Sequence, residues 1–503
     1  MTTAARTQAP PLAARLGEWV AGMANHTLSP RLAQKASDHL LDTLGAMVAG
    51  QDELPAQAAR AVFRRPGPVP LAGVAGLDHH HAALDPLDAA FVNAVSAHCL
   101  EVDDTEGCDH SGAVVVPVLL SLLPSCGAPD GGAPDGGARP GGRLLPALVA
   151  GYEVGRRVQL ALGGYEQHNA RGWHSTATCG VFAAAAAASV MLGLDGGQSA
   201  SALGIAASSS AGGWAFSADG SMTKQFHPGQ AARAGLEAAL LAQAGANGPR
   251  QVFEPVWGGF FATHGGPDGA GFDKVEPGLL VDGLGSTWHF EHSAIKPYAS
   301  CRSAHTAIDA FLGVLAAEGL SPADVRAVRV HVSGFLRPMI CPPAPADAAQ
   351  ARMSLPVSLA LLLEGKDLMP EDFRLFDSPG VLERLARIEV VRDPEGGREP
   401  EGGREPLVEV ITAHGTFAAR VEHARGGARH PLSPAEVEKK FCRLTADRLG
   451  AAQQAEWIAF ARKLPPETLF ARSHLGGQTT FAGAKASERN PGSSQEPGAP
   501  NSS

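Results

Sequence analysis

The stretch GSMTKQFHPGQAARAGLEAALLAQAG, residues 220–245, decides how the fold is read. Its opening is small and polar, as is SSSAGGWAFSADG before it, and neither is a good core segment. From Gly229 onward apolar residues recur at helical spacing, which predicts a helix with Lys224 and His227 near its start. Free backbone N–H groups at a helix N-terminus favour an anion. Two readings follow: a pair of solvated side chains in a loop, or a carboxylate-binding site.

Working outward, the first half of the chain reads as helix after helix. LSPRLAQKASDHLLDTLGAMVAG has Ser29 as N-cap, Pro30 at the first helical position and an end near Gly50. LDAAFVNAVSAHCLEV, RLLPALVAGYEVGRRVQLALG and CGVFAAAAAASVMLGLD follow the same logic, and their alanines permit close backbone approach. The repeat GAPDGGAPDGGARPGG, residues 127–142, is read as a flexible surface insertion.

The character then changes. DVRAVRVHVSG alternates Val328, Val330 and Val332 with Arg329 and His331, a strand pattern. RLARIEVVRD and PLVEVITAHGTFAARVEHA are further β-rich runs, and PEGGREPEGGREP between them suits an exposed hairpin tip. SPAEVEKKFCRLTADRLG opens a last helical piece with a Ser433–Glu436 capping box. The expected class is mostly α with an inserted α+β domain. The expected segments are a helical domain over 10–272, an α+β lid over 275–428, a helical return over 430–474 and a disordered tail over 475–503.

With 503 residues and 44% hydrophobic content, the chain can bury a sizeable core. A net charge of −10 argues against a nucleic-acid partner and requires a local basic pocket for any anionic substrate. Seven cysteines, none in CxxC spacing, read as reduced thiols rather than a zinc or iron–sulfur framework. The N-terminus lacks an apolar signal core, and no charge-free apolar run of spanning length is evident. The expected place is the cytoplasm, with no membrane partner. Nucleotide-binding and zinc-protease motifs are absent.

Four polar clusters interrupt the apolar pattern. In AHCLEVDDTEGCDHSGAVVV, Glu101, Asp103, Asp104, Thr105 and His110 follow a helix end, where acidic groups are electrostatically unfavourable. Paired carboxylates with a histidine suit a metal or acid/base work; the alternative is capping of the next helix. His174 precedes Ser175, Thr176 and Thr178 at the start of an Ala-rich helix. Lys224 and His227 occupy the start of another, and converging helix N-termini would make a polycarboxylate pocket. The fourth cluster, EHSAIKPYASCRSAHTAIDAFLG, supplies Lys296, Tyr298, Cys301, Arg302 and His305; Cys301 reads as a buried thiol.

Taken in register, LEVDDT…HSG, GWHSTATCGVFAAAAAA, ADGSMTKQFHPGQAARAGLEAALLA and KPYASCRSAHTAIDA resemble the MmgE/PrpD family, which contains 2-methylcitrate dehydratase and cis-aconitate decarboxylase. The resemblance implies a large all-helical domain built from both chain ends and a smaller inserted lid domain. It also implies a homodimer, no metal or organic cofactor, and a site between the domains for a small di- or tricarboxylate. Carried over by position, the acidic–Thr motif falls on Asp103, Asp104 and Thr105, with His110 following. The family's helix-start histidine falls on His174, its lysines on Lys224 and Lys296, and His227 stands beside the first. The catalytic candidates are therefore His110, His174, Lys224, Asp104 and Thr105. The substrate-binding candidates are Glu101, Asp103, His227, Lys296, Tyr298 and Arg302. Glu101 stands where several members have Asp, and Val357 where studied branches have Tyr.

The function implied is a cofactor-independent lyase working by proton transfer α to a carboxylate, with a 2-methylcitrate dehydratase-like hydro-lyase as the first expectation. Decarboxylation and epimerisation use the same apparatus. The rivals are a catalytically silent carboxylate-binding dimer and a metal-dependent lyase built on Asp103, Asp104 and His110.

Overall fold

A computed structural model describes residues 9–69, 84–123, 140–265, 275–334, 336–341, 345–393 and 405–463. The expectations for the tail 475–503, and for nearly all of the repeats at 127–142 and 394–406, lie outside the described residues.

Local chemistry fixes the helix boundaries. Ser29 accepts from Leu32 N at 3.3 Å and Pro30 opens the helix Pro30–Gly50. Near the other end, Ser433 and Glu436 form a reciprocal capping box around the start of Pro434–Thr445. In chain order the main helices are α1 (Leu12–Met23), α2 (Pro30–Gly50), α3 (Pro86–His98), α4 (Ser111–Leu122), α5 (Leu144–Ala161), α6 (Gly180–Leu192), α7 (Gly196–Ala207) and α8 (Thr223–Gln243). After these come α9 (His305–Ala317), α10 (Leu355–Leu363), α11 (Pro434–Thr445) and α12 (Ala451–Lys463).

The central pair is α6 and α8, which pack side by side, with α5 on the other flank of α6. A Cβ at Gly235 would strike Ala184 and the Val181 carbonyl, so glycine on α8 and alanine on α6 set the close approach. The segment Ser175–Leu192 is long and apolar enough to cross a membrane, contrary to the sequence reading, which found no such run. Its alanines are instead enclosed by neighbouring helices, and the segment is almost wholly buried. The chain's far end returns to its beginning: α11 lies along α2, with Phe441 and Leu444 over Gly45.

Four strands, β1 (Val325–Val332), β2 (Ile388–Arg392), β3 (Leu407–Thr412) and β4 (Thr416–Arg420), form one mixed sheet of order β2-β1-β3-β4. Val328 faces Ile388 in a parallel pair and Val410 in an antiparallel one. Val328, Val330 and Val332 are buried, while Arg329 lies between Glu389 and Glu409 on the open face. The hairpin expected around 394–406 does not form between its flanking strands, because both pair with β1 instead. The hairpin in this region is β3–β4.

The apolar residues separate into two cores. One holds α1, α2, α4 to α8, residues such as Leu280 and Phe290, and the returning α11 and α12. The other holds the sheet, α9 and α10. Helix α3 belongs to both, with Ala90 and Ala94 in the first and Phe91, Val92 and Val95 in the second. The loop that follows α3 therefore emerges at the seam.

Candidate active site

That loop, residues 99–110, carries an unusual backbone. Glu101, Glu106 and Asp109 have φ of 53°, 62° and 82°, left-handed values that side chains other than glycine rarely adopt. Leu368 is the one other such residue described outside glycine. Strain of this kind persists only where surrounding structure enforces it, and it concentrates at functional sites. Here the enforcement is visible. Thr105 exchanges backbone hydrogen bonds with Ala294 at 2.9 and 2.8 Å. Lys440 of α11 donates to the Val102 carbonyl at 2.7 Å and to Asp42 at 2.5 Å.

The loop borders a cavity of about 700 Å³. One wall comes from the loop, from the start of α8 and from the segment 214–221 before it; the other comes from Lys296–Ser303 and from residues 338–339 and 349–353. Gly220 (φ 70°) faces the Gln350 side chain, where a Cβ would lie 2.7 Å from Nε2. The Gly-rich approach to α8 is thus a close contact between the two walls.

Glu101 is the centre of charge. Its carboxylate accepts from Lys224 on one oxygen and from Lys296 on the other, the latter at 3.0 Å, and all three residues are buried. Lys296 also donates to the Glu101 carbonyl at 3.2 Å. Burial would raise the Glu101 carboxyl, but the two ammoniums overcome it and hold it well below the usual range. Burial would likewise lower Lys296, and Glu101 more than offsets it, so this ammonium is raised.

Beside this cluster runs an alternating chain of imidazoles and carboxylates. His98 Nδ1 lies 2.8 Å and His110 Nδ1 3.0 Å from the same oxygen of Asp103. His110 Nε2 is 3.6 Å from Asp109, whose second oxygen is 3.5 Å from His174 Nε2. His174 and His227 share a hydrogen bond between their Nδ1 atoms at 2.8 Å. Burial pushes His98, His174 and His227 down to about 4. His110 differs: burial opposes its proton, but Asp103 and Asp109 outweigh it and raise the value. Of the four rings, His110 is the one that lines the cavity and the one biased toward imidazolium.

The expected residues divide accordingly. Glu101, Thr105, His110, Lys224, Lys296 and Arg302 line the cavity. Arg302 is held by Glu106 at 2.8 Å and by the Arg425 carbonyl at 2.7 Å. Asp103, His174 and His227 stand behind His110 in the chain just described. Asp104 is turned away from the cavity and is fully bonded, accepting from Tyr152 OH at 2.5 Å, His39 at 2.9 Å and Gly112 N at 2.8 Å. Tyr298 points to Asp309 at 2.8 Å. With Tyr152 and Tyr298 so occupied, Tyr165 is the remaining tyrosine of the three, and it lines the cavity. Val357 lies in the second core. Burial raises the Cys301 thiol, consistent with its reading as an unreactive group.

Sequence reasoning missed His98, Asp109, Arg156, Tyr165, Arg352 and Lys440. His98 on the last turn of α3, just before the acidic run, carried a usable signal; the rest depend on tertiary placement. Among the described residues, His98, Asp103 and His110 are the set that could hold a metal, with ligand atoms within 4.8 Å of one another. In this arrangement both imidazoles lie at hydrogen-bonding distance from one Asp103 oxygen.

Profiles of the MmgE/PrpD N-terminal and C-terminal domains match residues 14–272 and 298–465. The chain belongs to the MmgE/PrpD family. The cis-aconitate decarboxylase of Homo sapiens is 28% identical over 446 residues, covering 86% of this chain and 85% of that protein. The cis-aconitate decarboxylase of Aspergillus terreus is 29% identical over 376 residues, 71% of this chain and 73% of its own. For this MmgE/PrpD chain, the junction between the two profiles coincides with the passage between the two cores, from Ile295 in the first to Tyr298 in the second.

Proposed function

We propose that the protein is a lyase acting on a small tricarboxylate without an organic cofactor, through a carbanion stabilised beside a carboxylate. The observation that carries this is the Glu101–Lys224–Lys296 cluster next to the His110 ring, whose proton Asp103 and Asp109 favour, in one cavity. Two ammoniums share the one Glu101 carboxylate, so each keeps hydrogen-bonding capacity for a carboxylate ligand. Trp214, Phe216, Met339 and Met353 supply apolar wall that strengthens those charges by excluding water.

The relatives are named cis-aconitate decarboxylases, which favours loss of CO2 as the branch. In that step the C–C bond to the departing carboxylate breaks and its electron pair passes into a dienolate that ends on a remaining carboxylate. The lysine cluster stabilises that charge, and His110 gives the carbon its proton. Asp103 and Asp109 maintain the imidazolium, and Asp104 positions the loop through His39 and Tyr152. The hydro-lyase branch is the second reading, supported by the same imidazolium, which can protonate a departing hydroxyl.

Proton NMR in D2O with EDTA present, using cis-aconitate, citrate and 2-methylcitrate, tests the proposal. CO2 release from cis-aconitate with one deuterium in the product is expected. A new olefin from a hydroxy acid selects the hydro-lyase instead. No turnover of any of them, with tricarboxylate binding intact, refutes the lyase and leaves a carboxylate binder.

A further inference from the structure

On the same wall as Lys296, the short helix Ala348–Ala351 ends in Arg352, which is followed by the Ser354 cap of α10. Arg352 lines the cavity and is only 2% exposed. Its Nε has no hydrogen-bond partner, and its guanidinium forms no ion pair with any described residue. The nearby acids are already engaged: both oxygens of Glu101 are held by the lysines, and Glu53 faces Arg374 at 3.4 Å. The backbone is fixed, since Cys301 N donates to the Arg352 carbonyl at 2.9 Å and ties it to the segment carrying Lys296. A buried, unpaired guanidinium is costly in the empty protein. Its planar fork matches a carboxylate with two parallel hydrogen bonds.

We propose that Arg352 is a specificity-determining residue that grips one substrate carboxylate in this cavity, in addition to the carboxylate held by the lysine cluster. The inference rests on the proposed function for its ligand class and deepens it: Arg352 is what makes an additional carboxylate worth having. The lysine cluster receives the carboxylate conjugated to the reacting carbon, and Arg352 the remote one. Substrate length is then set by the separation of Arg352 from the lysine cluster.

Calorimetric titration with unreactive ligands tests this on the full chain. Tricarballylate is compared with glutarate, which lacks its central carboxylate, and methylsuccinate, which lacks a terminal one. In the natural protein at least one of these dicarboxylates binds about 10- to 150-fold more weakly, the range for a charged hydrogen-bonded contact. In Arg352→Met that difference falls to within about threefold, while the ligand-free variant melts no lower than the natural protein because a buried lone cation is gone. Arg352→Lys keeps the charge without the fork, retains an intermediate difference and serves if the Met variant does not fold.

Both differences surviving in the variants, or no discrimination in the natural protein, overturns the proposal. A purely structural role for Arg352 would instead lower the melting temperature and weaken all three ligands alike. The readout is independent of turnover: collapse of the discrimination with no catalysis keeps Arg352 and rejects the lyase, and intact discrimination with catalysis does the reverse.

Discussion

Replacing Glu101 by Gln removes one negative charge from the middle of two buried ammoniums while keeping the side chain's size. Lys224, Lys296 and Glu101 are 7%, 0% and 5% exposed, so water cannot make up the loss. Breaking a buried pair by removing one partner costs about 3–5 kcal/mol. Two cations here lose their only shared anion, which places E101Q toward the upper end. The sign of the pH dependence follows from the direction of the shift. Glu101 is held well below its ordinary 4.5 when folded, so its contribution is fully present above that value. It is lost as pH falls through the depressed folded value. Urea unfolding of the natural protein and E101Q should therefore show a constant gap between pH 5 and 8 and a shrinking gap below about 4.5. Tricarballylate, bringing its own carboxylates to the orphaned lysines, should stabilise E101Q more than the natural protein. Equal stability at pH 7, or a gap that is unchanged at pH 3, refutes the charge argument.

His110→Asn should lower kcat by about 10²- to 10⁴-fold with little change in KM, as loss of a proton donor does. Because the imidazolium is raised above 6.5, the natural enzyme's kcat should fall as pH climbs through that raised value, and steady-state pH profiles would read it. Asp104→Asn should act on the fold instead: weakening three bonds to a buried carboxylate costs about 1.5–3 kcal/mol or more. Its thermal midpoint should drop, and kcat of the folded fraction should fall less than in His110→Asn because the loop is still held by Thr105–Ala294 and Lys440. An unchanged midpoint and unchanged kcat would contradict the positioning role.

The helix boundaries were legible because they are local. Ser29–Pro30 and Ser433–Pro434–Glu436 carry their own hydrogen-bonding partners within four residues. The strand alternation in 325–332 was equally plain, but its pairing was not: β1 takes β2 and β3 from distant sequence, and no turn signal specifies a parallel partner. In the site, Lys224, Lys296, Glu101 and His110 stand out as charges at helix openings or breaks. Asp103 and Asp104 are neighbours with opposite fates, one facing His98 and His110, the other Tyr152 and His39, and nothing in the sequence separates them. Arg352 and Lys440 were invisible for the same reason. Basic residues between or along helices normally sit in solvent, and only tertiary packing buries these two.

Lys440 has a further consequence, one of timing. A chain leaves the ribosome amino end first, so Val102 emerges 338 residues ahead of the lysine that fixes its carbonyl. Helices α4 to α8 can collapse on one another long before that. The loop carrying Glu101 and His110 waits without its tether until α11 has been made and laid along α2. A nascent chain can thus hold α4 to α8 packed together while the loop that carries Glu101 and His110 still lacks the Lys440 contact that fixes it.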